Sequence, residues 1–198
     1  MERIDSLPLF LENCWRMLLN GAVKRNDPLR TPVIGTFDGH QAHLRTVILR
    51  KTDVQNRTLL LFSDFRAAKV THLQQFAQLS CLFYHPRRQF QIRVQGVAKV
   101  HHKDDVAQAQ WSNIPVIGRK NYASELAPGT KVESYTDGTP DFWHNEMDLS
   151  ETEYAFENFA VIICQVDSID GLYLHSEGHR RAQFDWKNED WEGSWLIP

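Results

Sequence analysis

The sequence predicts a mainly β fold with helices: a mostly antiparallel barrel or strongly bent sheet, a helix at the N-terminus and further helices in the connections. Three observations carry this. Short apolar, β-branched runs follow one another closely ("PVIGTFD", "AHLRTVILRKTD", "TLLLFS", "SCLFYHP"), with turn signals such as "DGHQ" and "QNR" between them. The run "RQFQIRVQGVAKVHH" alternates over a long reach, with Phe90, Ile92, Val94, Ala98 and Val100 on one side and Gln91, Arg93, Gln95 and Lys99 on the other. That is the pattern of an antiparallel strand with one buried face. Strands and helices do not alternate strictly, as a doubly wound parallel sheet requires.

Each element has its own signal. In "DSLPLFLENCWRMLLNGAVKRN", Leu11, Cys14, Leu18 and Ala22 recur at helical spacing, Asp5 or Ser6 can cap the start, and Asn26, Asp27 and Pro28 end it. A second helix is expected from about Arg66 to Gln78, capped by Ser63 or Asp64. "KDDVAQAQWSNI" and "PVIGRKNYASEL" read as short helices. The stretch from Ala127 to about Glu153 has no clear period and is rich in Gly, Pro, Thr and Asp; loops this long are usually functional or disordered. "YAFENFAVIICQVDSIDGLYLHS" reads as two strands joined near Asp170-Gly171, and the tail as a hairpin turning near Asn188. One domain over 1–198 is expected.

Composition narrows the function. At 198 residues the chain can bury a core without disulfide staples. A net charge of −3, with no basic stripe interleaved with aromatics, argues against nucleic acid and against an anionic membrane surface. The three cysteines (Cys14, Cys81, Cys164) are odd in number and far apart, which argues against a disulfide framework and a structural zinc site and favours a reducing, cytoplasmic setting. No run has the apolar length of a membrane span. "MERIDSLPLF" lacks a basic region followed by a long apolar core, so no leader is read there. "HH" at 101–102 sits at a strand end with the two side chains on opposite faces, and no metal site is expected from it.

Three stretches carry candidate chemistry. In "FSDFRAAK" (Phe62–Lys69), Arg66 and Lys69 fall at a helix start, where cations are mildly unfavourable. An anion there would reverse the sign, with free N–H groups, Ser63 and the two cations as its ligands. Taken alone, two solvated side chains explain the stretch better. In "RTVILRK", alternation puts Arg45 and Arg50 on opposite faces unless a bulge intervenes; both also suit a solvated edge. Gln91 lies on the polar face of its strand and offers a donor and an acceptor.

The order "RTVILR", "LLFSDFRAAK", "RRQFQIRVQG" resembles the pyridoxamine 5′-phosphate oxidase family, as does the ending "WEGSWLIP". The resemblance implies an antiparallel six-stranded FMN-binding split β-barrel and a homodimer whose two FMN sites lie between subunits, the strands from about 159 to 198 taking part in the dimer. Carried over by position, Arg45 and Lys69 would hold the FMN phosphate, with Ser63 adding a hydroxyl; Val47 and Phe62 belong to the same matched segments, and Phe62 would line the pocket. Arg50 would sit near the isoalloxazine and Gln91 at the ribityl chain or ring. Arg181 matches a flavin-contacting arginine, and Tyr173 a flavin-side aromatic. His179 and Trp111 are the substrate-side candidates, with Arg119 and Tyr122 beside Trp111.

The sequence also departs from the family pattern. Ala67-Ala68 replace Ser-Arg, removing one phosphate arginine, with Arg66 as a possible substitute. "SEGHRR" keeps His179 but has Glu177 in place of the arginine that grips a substrate phosphate, and Trp195 stands at the terminal arginine. An FMN-dependent oxidoreductase acting on a small amine or heteroaromatic is the reading that results. The alternative is a protein that binds FMN or another anion without turnover.

Overall fold

The structure is a computed structural model and describes residues 5–198. Met1–Ile4, the start of the stretch read for a leader, lie outside the described residues. Helix α1 (Leu7–Val23) buries Phe10, Cys14, Trp15, Met17, Leu18 and Ala22. Nine strands follow: β1 (Val33–Phe37), β2 (Ala42–Thr46), β3 (Leu49–Asp53), β4 (Thr58–Asp64), β5 (Gln78–His85), β6 (Phe90–His101), β7 (Phe159–Tyr173), β8 (Arg180–Lys187) and β9 (Asp190–Leu196). Helix α2 (Ala68–Gln75) joins β4 to β5; α3 (Asp105–Trp111) and α4 (Val116–Arg119) lie between β6 and β7.

All the strand pairs are antiparallel, but the six-stranded split barrel is not what forms. Nine strands make one sheet, with path β2-β1-β5-β6-β7-β4-β3 and β8–β9 branching from β7. The path does not close into a barrel, because no ladder joins β2 to β3. Its branching follows from the length of β7. Residues 58–64 of β4 pair with the first half of that strand, and β8 pairs with the second half. Only Val47 and Ile48 separate β2 from β3, so the two ends of the path lie within about 11 Å, three residue steps. The sheet is therefore strongly bent while its ends stay unpaired.

Two strand readings need correcting. "AHLRTVILRKTD" is two strands at opposite ends of the path, and "NFAVIICQVDSIDGLY" is one, with no turn at Asp170-Gly171. Gly171 is there for close approach: a Cβ would fall 2.4 Å from Phe10 Cε1, so its absence lets α1 pack on β7. Helix α2 is shorter than expected, and its cap is Ala67 rather than Ser63 or Asp64. The tail hairpin turns at Asn188-Glu189, both with positive φ, as a two-residue type I′ turn requires.

The main core lies between α1 and the bent sheet, around Phe10, Leu18, Ile34, Phe83, Phe90 and Phe184. Each such side chain contributes about 1.5–3 kcal/mol when fully buried. A second cluster, around Trp111, Tyr122, Ala155 and Phe159, packs α3 and the 3₁₀ segment Leu149–Asn158 on the outside of β4 and β7. Residues 124–148 contain no helix or strand. No helix among the described residues is long and apolar enough to cross a membrane.

Candidate functional site

The site begins where β4 runs into α2. Ser63 and Asp64 end the strand, Ala67 is the N-cap with φ −70 and ψ 140, and no side chain caps the first turn. Val70 N donates to Ala67 O at 2.8 Å, which leaves the N–H groups of Ala68 and Lys69 for an incoming acceptor. Lys69 Nζ donates to Ser63 Oγ at 3.0 Å, and that hydroxyl donates to Asp64 O at 2.9 Å. Arg45, on β2, donates from Nη1 to Thr36 Oγ1 at 2.6 Å and to His43 O at 2.7 Å. Burial lowers the Lys69 pKa, and the nearby Arg45 charge lowers it further, against Asp64, which raises it. Burial lowers that of Arg45 too. Two partly desolvated cations thus repel one another at an uncapped helix start.

A second cation stands beside the first group. Register shifts between Leu49 and Lys51, so Arg50 is the extra residue of a β-bulge. Its guanidinium carbon lies 5.0 Å from the centre of the Phe62 ring. Arg50 Nε is buried and has no hydrogen-bond partner. Burial lowers the Arg50 pKa, with Tyr122 opposing that shift and Arg30 adding to it. Phe62 also meets Phe159 edge-on at 5.0 Å. Val47 donates its N–H to Pro32 O at 3.0 Å, and its side chain packs on the main core.

The remaining candidates gather elsewhere. Gln91, Leu172 and Arg181 share one register row across β6, β7 and β8, and Phe90, Tyr173 and Arg180 share the next. Tyr173 stacks on Phe90 at 5.7 Å. Arg181 forks onto Asp170, Nε to Oδ1 at 3.2 Å and Nη2 to Oδ2 at 2.9 Å, and Arg93 also binds Asp170 Oδ2. Burial raises the Asp170 pKa, but Arg181 and Arg93 together bring it below its ordinary value. His179 and Glu177 are exposed on the turn after β7, where His179 Nδ1 accepts from His175 N at 3.2 Å. Ser63 pairs with Ala160 and Gln91 with Leu172, so twelve residues of β7, roughly 40 Å if straight, separate the two groups.

Some candidates have other work. Arg66 forks onto Asp64 at 2.7 and 3.1 Å and donates to Ser124 O and Glu125 O, so in this structure it fastens the 124–125 backbone. Trp111 is fully buried, with Nε1 donating to Glu153 Oε2 at 2.9 Å and Arg119 over its ring at 4.4 Å. It is a core residue with no free face for a substrate. Arg119 and Tyr122 are buried in the same region. The three thiols are buried, and burial raises the pKa of each, Cys164 to about 12, so none is a ready thiolate. Thr36, His72 and Asp170, which tie these groups together, were not legible as site residues, because their contacts cross from β1 to α2 and from β7 to β8.

Residues 12–102 match the family model described as pyridoxamine 5′-phosphate oxidase, FMN-binding domain. Among solved structures, a pyridoxamine 5′-phosphate oxidase-related, FMN binding protein from Nostoc punctiforme aligns with a TM-score of 0.73 at 18% identity, covering 99% of this chain and 100% of that one. PhzG from Burkholderia lata, solved with tetrahydrophenazine-1-carboxylic acid, aligns with a TM-score of 0.68 at 15% identity, covering 96% of this chain and 92% of that one. No curated protein matches the sequence. The family match thus covers residues 12–102, and over nearly the whole chain the fold is that of these two solved structures.

Proposed function

We propose that this chain binds FMN between two copies of itself and acts as an FMN-dependent oxidoreductase on a small amine or heteroaromatic substrate. The observation that carries the cofactor reading is the pair of partly buried cations, Arg45 and Lys69, at an uncapped helix start. A phosphate relieves their repulsion, accepts from the open N–H groups of α2, and makes charge-assisted bonds with both. The orphaned Arg50 Nε supplies a further donor suited to a polar ring edge. The residues present therefore fit the group.

FMN, when bound, supplies two-electron redox chemistry, and the protein supplies position and electrostatics. Arg45 and Lys69 anchor the phosphate, with Ser63 holding the Lys69 ammonium in place. Phe62 and Arg50 form the next wall along β4. Gln91, Tyr173 and Arg181 lie at the other end of β7 from Ser63, twelve or more residues along the strand, and this separation supports a site completed by a second subunit. Asp170 sets the direction of the Arg181 fork, the cation offered to negative charge on the ring.

Purified protein should be yellow and release FMN on denaturation. Mixing Lys69→Ala chains with Arg181→Ala chains should restore one FMN site per mixed dimer; absence of any recovery would contradict the shared site. Glu177, exposed beside His179, favours a second reading, binding without turnover, because a carboxylate there repels a substrate phosphate. Anaerobic mixing with a panel of amines and dihydro-heteroaromatics separates the two. Reduction of the bound flavin supports the oxidoreductase, and no reduction by any of them supports the binder.

A further inference from the structure

We propose that Asp38, His43 and His72 form a binding site for one divalent transition-metal ion of the zinc class. The three residues come from the β1–β2 turn, β2 and α2, and their donor atoms all lie within 4.8 Å of one another. His43 Nε2 is 2.7 Å from Asp38 Oδ2, and the His43 and His72 ring centres are 4.8 Å apart. An ion held tetrahedrally at about 2.0–2.2 Å needs donors roughly 3.4 Å apart. Reaching that spacing takes side-chain shifts of about 1 Å.

The surroundings of the cluster suit such an ion. Asp38 Oδ1 accepts from His40 N and Gln41 N, both at 2.8 Å, which leaves Oδ2 turned to His43. His72 Nδ1 lies 3.0 Å from Thr36 Oγ1. That hydroxyl oxygen accepts from Arg45 and has a second lone pair for a His72 Nδ1–H, the tautomer that leaves Nε2 bare. A fixed outer partner on the far ring nitrogen is what metal-binding histidines require. His72 is buried, while the side chains of His43 and Asp38 are 33% and 25% exposed, so an ion can enter from one side. Arg45 lies within electrostatic reach of His72 and opposes a dication; the Asp38 carboxylate supplies the compensating charge. Two imidazoles and one carboxylate suit zinc, and three protein ligands leave a fourth position for water or substrate. The sequence gives no warning of the site, since His72 stands 29 positions after His43 and no zinc spacing is present.

The experiment uses full-length protein as purified, treated with chelator and titrated with Co²⁺ as the spectroscopic probe. One Co²⁺ per chain should bind with the visible bands of a four-coordinate site, and Zn²⁺ should displace it. His43→Ala and His72→Ala should each weaken binding at least tenfold, Thr36→Val by about 10–100-fold through the lost outer partner, and His40→Ala not at all. His43 is partly exposed, so His43→Ala disturbs the fold less than His72→Ala, which removes a buried side chain of α2. Zn²⁺ should raise the melting temperature of the wild type and leave that of His43→Ala unchanged. Co²⁺ binding that is equally weak in wild type and in the His43→Ala/His72→Ala double variant would overturn the proposal. The proposal does not rest on the FMN reading, although Arg45 is shared by the two sites.

Discussion

Lys69 Nζ donates to the Ser63 hydroxyl at 3.0 Å, tying the first turn of α2 to the end of β4. The same ammonium repels Arg45, and burial already disfavours its charge. A cation so placed is unfavourable in the free protein, and under the proposed function a bound phosphate would offset that cost. This sets the first prediction. The folded state holds the Lys69 proton less tightly than the unfolded chain, whose ordinary value is 10.5. The unfolded state therefore binds more protons in the interval below that value, and stability rises with pH there. Lys69→Met should remove that rise and stabilise the ligand-free protein by about 0.5–2 kcal/mol, as read by urea unfolding as pH approaches 10.5 from below.

Ala67 is an N-cap with extended dihedrals and no capping oxygen. Ala67→Ser should place a hydroxyl on the open N–H groups and stabilise the fold by about 0.5–1 kcal/mol. Thermal melts of ligand-free protein check this.

Arg119 is 2% exposed and donates to Ile114 O, Trp111 O, Leu149 O, Thr152 Oγ1 and Glu153 Oε1. Five acceptors around one planar cation are more than an ammonium can satisfy. Arg119→Ala should cost about 3–5 kcal/mol, and Arg119→Lys should recover less than half of it. FMN uptake per folded chain should be unchanged, a result that separates the second core from the site.

Asp170 is the shared acceptor of Arg93 and Arg181. Its folded pKa is depressed, so its contribution is present above the ordinary carboxylate value of 3.8 and is lost as pH falls below that through the folded value. Asp170→Asn should cost about 1.5–3 kcal/mol near neutrality and flatten the acid limb of the stability profile. Denaturant midpoints measured from pH 2 to 7 show both effects.

Much of the fold was legible because alternation and turn residues are local. Phe90, Ile92 and Val94 face the core as their spacing said, and the hairpin turns at Asn188. The failures were not local. Nothing in "SIDGLY" says that Gly171 is there to admit Phe10, so a close approach was read as a turn. Nothing in "TVIL" says that the chain leaves one end of the sheet path for the other after Thr46. Strand count and closure depend on which strands share the edge of β7, and pairing partners leave no local trace. At the candidate site, the motif order singled out Arg45, Ser63 and Lys69 as candidates, while Thr36 and His72 were missed because the contact between them runs from β1 to α2, 36 positions apart. The contacts of Arg66 were hidden for a related reason. It stands next to the motif, but the 124–125 backbone that takes it is remote in sequence.

The central claim is that Arg45 and Lys69 hold the phosphate of FMN. The most direct measurement is an FMN titration, followed by flavin fluorescence, of flavin-stripped wild type, Lys69→Ala and Ala68→Ser. Losing one charge-assisted contact worth about 1.5–3 kcal/mol weakens binding by roughly 10–150-fold. Lys69→Ala should show that loss, and Ala68→Ser, at an exposed position, should stay within about twofold of wild type. A wild type that takes up no FMN, or a Lys69→Ala variant that binds it as tightly as wild type, would contradict the account.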